Sequence, residues 1–494
     1  MATIEKLDSD DLAELLGAWS SGSGPLYIQL AVAVDHLVKN GQLRDGVILP
    51  SERKLAEALS VSRSTVVSAY DRLEECRRVD RRQGSGTRVT VEEVPGPDNR
   101  NPRVGSFFVS TSQSKALVQA SLPCTLDLRS ELQELADTVG TFGTVPRGLV
   151  MGLPELREAI ADRFTRKGLA TSSDEILITS GCQQAVGLLV CTLLQTGDVA
   201  VVEEPTWPGA ADVIERVGAR VFGVPVDSGG IDIDQLREVV ERLRPGLLVV
   251  NPHHQNPTST RLLPHRRRAL ADMSADYSIP LIEDRVLADL AFDGNVPPPL
   301  ASLRPDAPII TVDSLSKTVW SGIGVGWVRG STDLIGRLKL EKAMSDLGTS
   351  LMPQLLACQL ESRLDSLIAK RSEMLAKRVK WASELLIEAV PDWSFEMPKG
   401  GASFWCKLPS PVASGFARHA ARSGLILVTD KAFSLCHDDQ HIRVPFAAEN
   451  ADYANAIEML ADAWASFDPG SGPIYDLADD VGWNGHSTAE LLNR

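Results

Sequence analysis

The chain has 494 residues, 43% of them apolar, and a formal net charge of −15, a length that allows roughly two to four domains with at least one large core. Its seven cysteines are scattered and never spaced Cys-x-x-Cys, so a disulfide framework and a zinc site are disfavoured, no metal is expected, and a reducing cytoplasm fits best. No window approaches the roughly 20 apolar residues that span a bilayer, and Met1 to Asp11 shows no basic stretch leading into an apolar one, so secretion and membrane insertion are not expected.

In chain order, residues 1–24 read as a leading helix, Asp8 to Trp19, and a Ser/Gly hinge. Residues 25–91 read as a small domain. Its first helix carries Leu26, Leu30, Ala33, Val34, Leu37 and Val38 on one stripe, and a second and third helix start at Ser51 and Ser62, each serine suited to cap a helix N-terminus. Asp80 to Val91, with Gly84-Ser85-Gly86 at its tip, reads as a hairpin. Residues 92–123, rich in Pro, Gly, Asn and Ser, read as a linker. Over 124–468, apolar runs alternate with helical patterns: Ile176 to Thr179, Val199 to Val202, Val221 to Val224, Leu247 to Val250, Leu281 to Glu283 and Ile309 to Val312. That alternation predicts an α/β domain with a mainly parallel sheet covered on both faces. The tail, 469–494, carries no readable role.

Between Ser51 and Thr90 nine basic side chains face six acidic ones, so the acidic total hides a locally basic segment, and local charge governs affinity for nucleic acid. Leu55, Ala58, Leu59, Val61, Val66, Ala69, Tyr70 and Leu73 would bury two helices against each other across Ser60-Val61-Ser62. Such a helix-turn-helix offers the start of its second helix to a major groove. Arg63, Ser64, Thr65 and Ser68 then meet phosphates and base edges, Arg53 precedes them, and Arg81, Arg82 and Arg88 flank the hairpin tip. The run Pro25-Leu26-Tyr27-Ile28-Gln29-Leu30, with Leu49-Pro50-Ser51-Glu52-Arg53, Val61-Ser62-Arg63-Ser64-Thr65-Val66 and Gly84-Ser85-Gly86-Thr87, resembles the winged helix-turn-helix of GntR-type regulators. In one departure, Arg77 and Arg78 stand where that family has a Gly and an apolar residue.

In the larger half, Thr179-Ser180-Gly181-Cys182-Gln183 runs from a strand through Gly into a helix, presenting N–H groups to an anion. Trp207 follows the next strand, where an aromatic can stack on a flat ring. Asn256 follows another, and Asp284 ends the run from Leu281, where a carboxylate can pair with a protonated ring nitrogen. Lys317 in Ser314-Leu315-Ser316-Lys317 supplies an amine, and Arg443 lies far downstream. Taken singly, the lysine reads as a surface residue and the aspartate as a helix cap. Together they resemble the fold-type I pyridoxal-phosphate (PLP) enzymes of the aspartate aminotransferase superfamily.

The resemblance implies Lys317 as the aldimine lysine, Asp284 on the pyridinium and Asn256 on the phenolic oxygen. It implies Trp207 against the ring, phosphate held by Gly181, Cys182, Gln183 and Ser314, and Arg443 gripping an effector carboxylate. The joined modules resemble the MocR subfamily of GntR regulators, which implies a homodimer that binds an operator in double-stranded DNA and senses the cofactor or a small amino compound or carboxylate. An active aminotransferase with an appended DNA-binding-like module is the alternative, and a sensor without cofactor is a third reading. Two departures weaken the expected cofactor grip. Gly324 stands where the family has a phosphate-pairing Arg, and Val286 where it has a Tyr. Arg285 lies between Asp284 and Val286, but strand alternation turns it to the opposite face.

Overall fold

The computed structural model describes residues 7–17, 19–20, 26–39, 43, 46–75, 79–82, 86–89, 103–107, 115–118, 120–124, 126–139, 149–436, 438–447 and 450–468. The chain forms two compact units, one ending at Asn101 and one running from Pro102 to Gly472.

The first unit holds helices α1 (Ser9–Leu16), α2 (Leu26–Lys39), α3 (Glu52–Ala58) and α4 (Arg63–Glu75), then strands β1 (Val79–Arg82) and β2 (Gly86–Val89). Its core gathers Leu12, Leu30, Val34, Leu37, Leu55, Val66, Ala69, Tyr70 and Leu73, the stripe positions that the helical spacing marks for burial. The buried Tyr70 hydroxyl donates to the Pro50 carbonyl at 2.9 Å and ties α4 to the loop before α3. β1 and β2 pair antiparallel, Val79 opposite Val89. Ile48 forms a further antiparallel bridge to Arg88. Ser62 caps α4, its Oγ accepting from the Thr65 N–H at 3.1 Å. Ser51 precedes α3 but makes no side-chain cap bond; being exposed, that helix start is open to water, which satisfies its N–H groups instead.

The second unit contains β3 (Lys115–Leu117), β4 (Ile176–Thr179), β5 (Val199–Glu204), β6 (Arg220–Asp227), β7 (Gly230–Ile231), β8 (Leu247–Val250), β9 (Leu281–Asp284), β10 (Ile309–Ser314) and β11 (Gly326–Arg329). β12 (Ser403–Lys407), β13 (Leu425–Thr429) and β14 (His441–Pro445) follow. Its helices are α5 (Leu128–Val139), α6 (Pro154–Arg166), α7 (Cys182–Leu193), α8 (Pro208–Arg216), α9 (Ile233–Leu243), α10 (Pro264–Asp276), α11 (Leu315–Thr318), α12 (Thr332–Ser345), α13 (Leu351–Glu361), α14 (Leu364–Ala389), α15 (Ala413–Arg422) and α16 (Asn450–Ser466).

An eight-stranded sheet runs β4-β11-β10-β9-β8-β5-β6-β7. Its inner pairs from β10 through β6 are parallel. β11 is antiparallel to both neighbours. Every residue of β4 and β8 is buried, as expected where helices cover both faces of a parallel sheet. A smaller sheet, β12-β14-β13-β3, packs its core with α14, α15 and α16 side chains such as Leu386, Phe416 and Leu460.

The six strands expected from sequence are present, with β7, β11 and the smaller sheet added. The linker expectation over 92–123 differs from Arg103 onward. Arg103 pairs with Asp212 at 2.8 Å and Glu215 at 2.9 Å on α8, and β3 adds a parallel edge to β13. A short turn and a three-residue strand are too brief to show a period, which is why they read as tether. The hinge residues 21–24, Arg77, Arg78, the tip 83–85, most of the span 90–114 and the tail 469–494 lie outside the described residues. Among the described residues no helix is long and apolar enough to cross a membrane.

Candidate cofactor site and DNA-reading face

The groups expected to bind cofactor meet at the carboxyl ends of neighbouring strands, the usual place for a ligand in an open α/β sheet. Gly181 and Cys182 follow β4, Trp207 follows β5, Asn256 follows β8, Asp284 ends β9, and Ser314 and Lys317 follow β10. Gly181 sits at φ 143° as the residue that opens α7. A Cβ there would meet nothing closer than Ser314 Oγ at 4.0 Å, so glycine is set by the backbone angle and not by crowding of the space a side chain would enter. The helix start directs N–H groups and the positive end of its dipole at that space.

The half-buried Lys317 donates from Nζ to the Ala120 carbonyl at 2.8 Å. Burial lowers its amine from 10.5 to about 8, aided by repulsion from Arg443 and opposed by attraction to Cys182 and Asp284. Burial likewise raises Asp284 to about 6, while the Val286 N–H, bonded to its Oδ1 at 2.9 Å, and Lys317 hold it back. Trp207 donates from Nε1 to Gln183 Oε1 at 3.0 Å, and Gln183 donates to the Gly209 carbonyl. The indole also packs on Phe107, ring centres 4.9 Å apart. Gly209 is required by this contact, since a Cβ there would lie 2.1 Å from Gln183 Oε1.

Arg443 is 2% exposed. One Nη donates to Asn256 Oδ1 at 3.2 Å and the other to the Val118 carbonyl, and Nε is buried without a partner. Phe107 and Phe433 flank the guanidinium at 5.0 and 4.9 Å. Among the described residues no carboxylate pairs with it, and burial draws its pKa down to about 9. A buried cation with an open N–H calls for an anion.

Of three further placements, Ser314 departs from the simplest expectation, Arg285 follows it, and Gly324 is set by its backbone. The Ser314 hydroxyl donates to the Val325 carbonyl at 2.7 Å and accepts from the Ser316 N–H at 3.1 Å, so its single proton is committed to holding the turn into α11. Arg285 turns to the opposite side, 3.2 Å from the buried Glu283 and 2.8 Å from His253. Burial alone would raise Glu283, but Arg285 and His253 hold it at about 2. Gly324 adopts left-handed backbone, φ 60°, and a Cβ there would find only the Ser180 carbonyl, at 4.0 Å.

Sequence reasoning missed the groups that complete the pocket: Phe107, Val118 and Ala120 in the strap read as linker, and Phe433. It also missed Arg371 of α14, fully buried, which donates to the carbonyls of Thr318 at 3.2 Å, Val319 at 2.8 Å and Pro123 at 2.8 Å. Arg371 thereby joins the end of the Lys317 helix to the strap. A lone Arg inside a long charged helix gives no signal of this in sequence.

In the first unit, Arg63 opens α4, exposed, with Glu52 3.3 Å away. Ser64 is exposed, Thr65 and Ser68 are half-buried, and the Ser62 hydroxyl lies 2.8 Å from those of Ser64 and Thr65. Arg53 on α3 is exposed and only loosely paired with Glu57, at 3.9 Å. Arg88 stands on β2 opposite Asp80, while the backbones of Arg81 and Arg82 lie opposite Thr87 and Gly86; the side chains of Arg81 and Arg82 lie outside the described residues.

Two family models match the chain, bacterial regulatory proteins of the gntR family over residues 26–89 and aminotransferase class I and II over residues 112–460. The HTH-type transcriptional regulator YisV of Bacillus subtilis (strain 168) is 30% identical over 356 residues, 68% of this chain and 73% of that relative. This chain belongs to the MocR-type transcriptional regulators. Another HTH-type regulator, YdcR of Escherichia coli (strain K12), is 28% identical over 79% of this chain and 87% of its own length. The structure of LysN, an α-aminoadipate aminotransferase from Thermus thermophilus, superimposes with a TM-score of 0.65 at 24% identity, covering 74% of this chain and 96% of LysN; that likeness shows the fold. The regulator is thus a DNA-binding protein whose second unit has the PLP-dependent fold. Its residues fit the cofactor: the N–H groups of the α7 helix start behind Gly181 for phosphate, a carboxylate at Asp284 and an amine at Lys317.

Proposed function

We propose that this regulator senses PLP, and through it an anionic amino compound, at the pocket formed by Lys317, Asp284, Trp207, Asn256 and Arg443. The observation that carries the reading is Arg443: a buried, carboxylate-free guanidinium with an open Nε, close enough to Lys317 to depress its amine. Bound PLP supplies an aldehyde that a primary amine captures. The residues of the chain divide the remaining work. Gly181, Cys182 and Gln183 offer helix-start N–H groups to the phosphate, Asp284 receives the ring N–H, Asn256 reaches both the ring oxygen and Arg443, and Trp207 covers the ring. Lys317 keeps about one amine in ten neutral at pH 7, and Arg443 takes the carboxylate, sulfonate or phosphate of the effector as a fork. The DNA-binding unit reads an operator through Arg63, Ser64, Thr65 and Ser68, with Arg53, Arg81, Arg82 and Arg88 on the backbone, in a cytoplasmic homodimer that meets two half-sites.

An absorption spectrum of the full chain, with and without PLP, tests the first step. A visible band that Lys317→Ala abolishes is expected, with operator footprints that change on adding cofactor. A protein that stays colourless with excess PLP overturns the reading. The second reading, retained aminotransferase turnover, is favoured by the lowered Lys317 amine, since a neutral lysine can also move protons; Gly324 and Val286 weigh against it. Sustained turnover with any amino acid and keto-acid pair would select it.

A further inference from the structure

Outside the cofactor pocket, Asp430, Asp438 and His441 bring three donor atoms within 4.8 Å of one another. Asp430 directly follows β13, at the start of a short turn, and His441 opens β14, so the pairing of these strands fixes two of the three donors on rigid elements. His441 Nδ1 lies 3.1 Å from Asp438 Oδ1, in hydrogen-bond contact, and an ion would take the place of that bond, parting the two atoms to about 3.3–3.6 Å in a tetrahedral shell with ligands about 2.0–2.2 Å away. The imidazole plane is set by Trp405, stacked on it at 5.2 Å with 3° between planes, much as outer partners orient metal-bound histidines.

Asp430 supplies the independent sign of a missing ligand. It is 1% exposed, its Oδ2 accepts from the Gln440 N–H at 3.0 Å, its Oδ1 is buried and receives no hydrogen bond from a donor group among the described residues, and the Asp438 carboxylate lies within hydrogen-bond reach of it. That orphan oxygen belongs to the same cluster as a second carboxylate, Asp438, whose Oδ1 also accepts from Gln440 N–H at 3.1 Å. Two carboxylates so placed repel unless a cation or a proton joins them. Ordinary lysine and arginine partners do not serve, since among the described residues no ion pair reaches Asp430. Burial, the hydrogen bond with Asp438 and the charges of Asp438 and Asp439 raise Asp430 above the usual range, so a proton competes with a cation for the space between the two carboxylates.

We propose that Asp430, Asp438 and His441 form a binding site for one divalent transition-metal cation. One imidazole and two carboxylates suit Zn²⁺-like ions better than Mg²⁺ or Ca²⁺, which prefer all-oxygen shells. The ion joins β13 to β14 through the loop between them. It also steadies the edge of the anion pocket: the Asp430 carbonyl accepts from the N–H groups of Phe433 and Ser434, both at 2.8 Å, and Phe433 covers Arg443. The site stands on its own residues and does not depend on cofactor binding.

The test is Zn²⁺ titration of the chelator-stripped full chain against a chromophoric competitor, comparing wild type with Asp438→Asn and His441→Gln. Cysteines elsewhere also take Zn²⁺, so the readout is the difference between proteins. Wild type is expected to bind one equivalent more than either variant, or to bind it at least about tenfold more tightly, and Zn²⁺ is expected to raise the melting temperature of wild type more than that of the variants. Both substituted side chains are partly exposed, and circular dichroism checks that the variants fold; should one fail, the other carries the comparison. Equal stoichiometry and affinity in wild type and variant overturns the site and leaves a proton shared between Asp430 and Asp438.

Discussion

At the scale of single residues, Lys317 turns on one free-energy difference. An ordinary lysine amine near 10.5 is neutral in about one molecule in three thousand at pH 7, whereas one at about 8 is neutral in about one in ten. Capture of PLP by the apo-protein is therefore expected to quicken about tenfold between pH 7 and pH 9 and then level off, in stopped-flow absorbance. Arg443→Gln removes one cause of the depression and shifts the midpoint upward; an unchanged midpoint would show that Arg443 does not reach the amine. The sign for stability runs the same way: from about 8 to 10.5 the unfolded chain holds the extra proton, so this group makes folding more favourable as pH rises through that window. Gly324 gives a second prediction. Arg there would add a charge-assisted bond to phosphate of about 1.5–3 kcal/mol, against about 1–2 kcal/mol for a non-glycine residue in left-handed backbone. Gly324→Arg is thus expected to tighten PLP by up to about thirtyfold in equilibrium dialysis, and weaker binding would mean that the phosphate is already fully held.

At the scale of elements, the helices carry the predictions. Ser62→Ala removes the α4 cap and is expected to cost about 1 kcal/mol in chemical denaturation of the first unit, whereas Ser51→Ala, with no cap bond to lose, should cost far less. Arg371→Leu leaves three carbonyls of α11 and the strap without their donor; a loss on the order of 3 kcal/mol is expected, with Arg371→Lys recovering part of it. The same elements explain what the sequence disclosed. Strands buried on both faces read as short apolar runs, so β4, β5, β8, β9 and β10 were legible, as was the partly buried β6 through Val221 to Val224, and so were the positions of Gly181, Trp207, Asn256, Asp284 and Lys317 at or just past the ends of such runs. β11 was not, because it starts among glycines at Gly326, and β3 is too short for a period. The walls of the Arg443 pocket come from Phe107 and Phe433, more than three hundred residues apart, and only tertiary structure brings them together.

At the scale of the whole molecule, a chain of net charge −15 binds DNA through a unit whose recognition segment has a basic excess, so the contact depends on local field and is steeply weakened by salt. Arg63→Ala is expected to weaken operator binding and to flatten the slope of log affinity against log salt by about one. Regulation requires more, namely that cofactor at Lys317 and operator at α4 change each other's affinity. Such coupling is reciprocal: if PLP strengthens or weakens operator binding by a factor of about 5–150, the usual range for 1–3 kcal/mol, operator DNA must shift PLP affinity by the same factor in the same direction. Titrating the full-length protein with PLP, with and without a saturating operator duplex, measures one arm, and titrating operator with and without PLP measures the other. Equal factors different from one are expected in wild type. In Lys317→Ala both should collapse toward one, because a ligand that binds two states equally shifts neither. Factors of one in wild type would mean that the second unit binds its cofactor without informing the first, and the aminotransferase reading would then account better for the pocket.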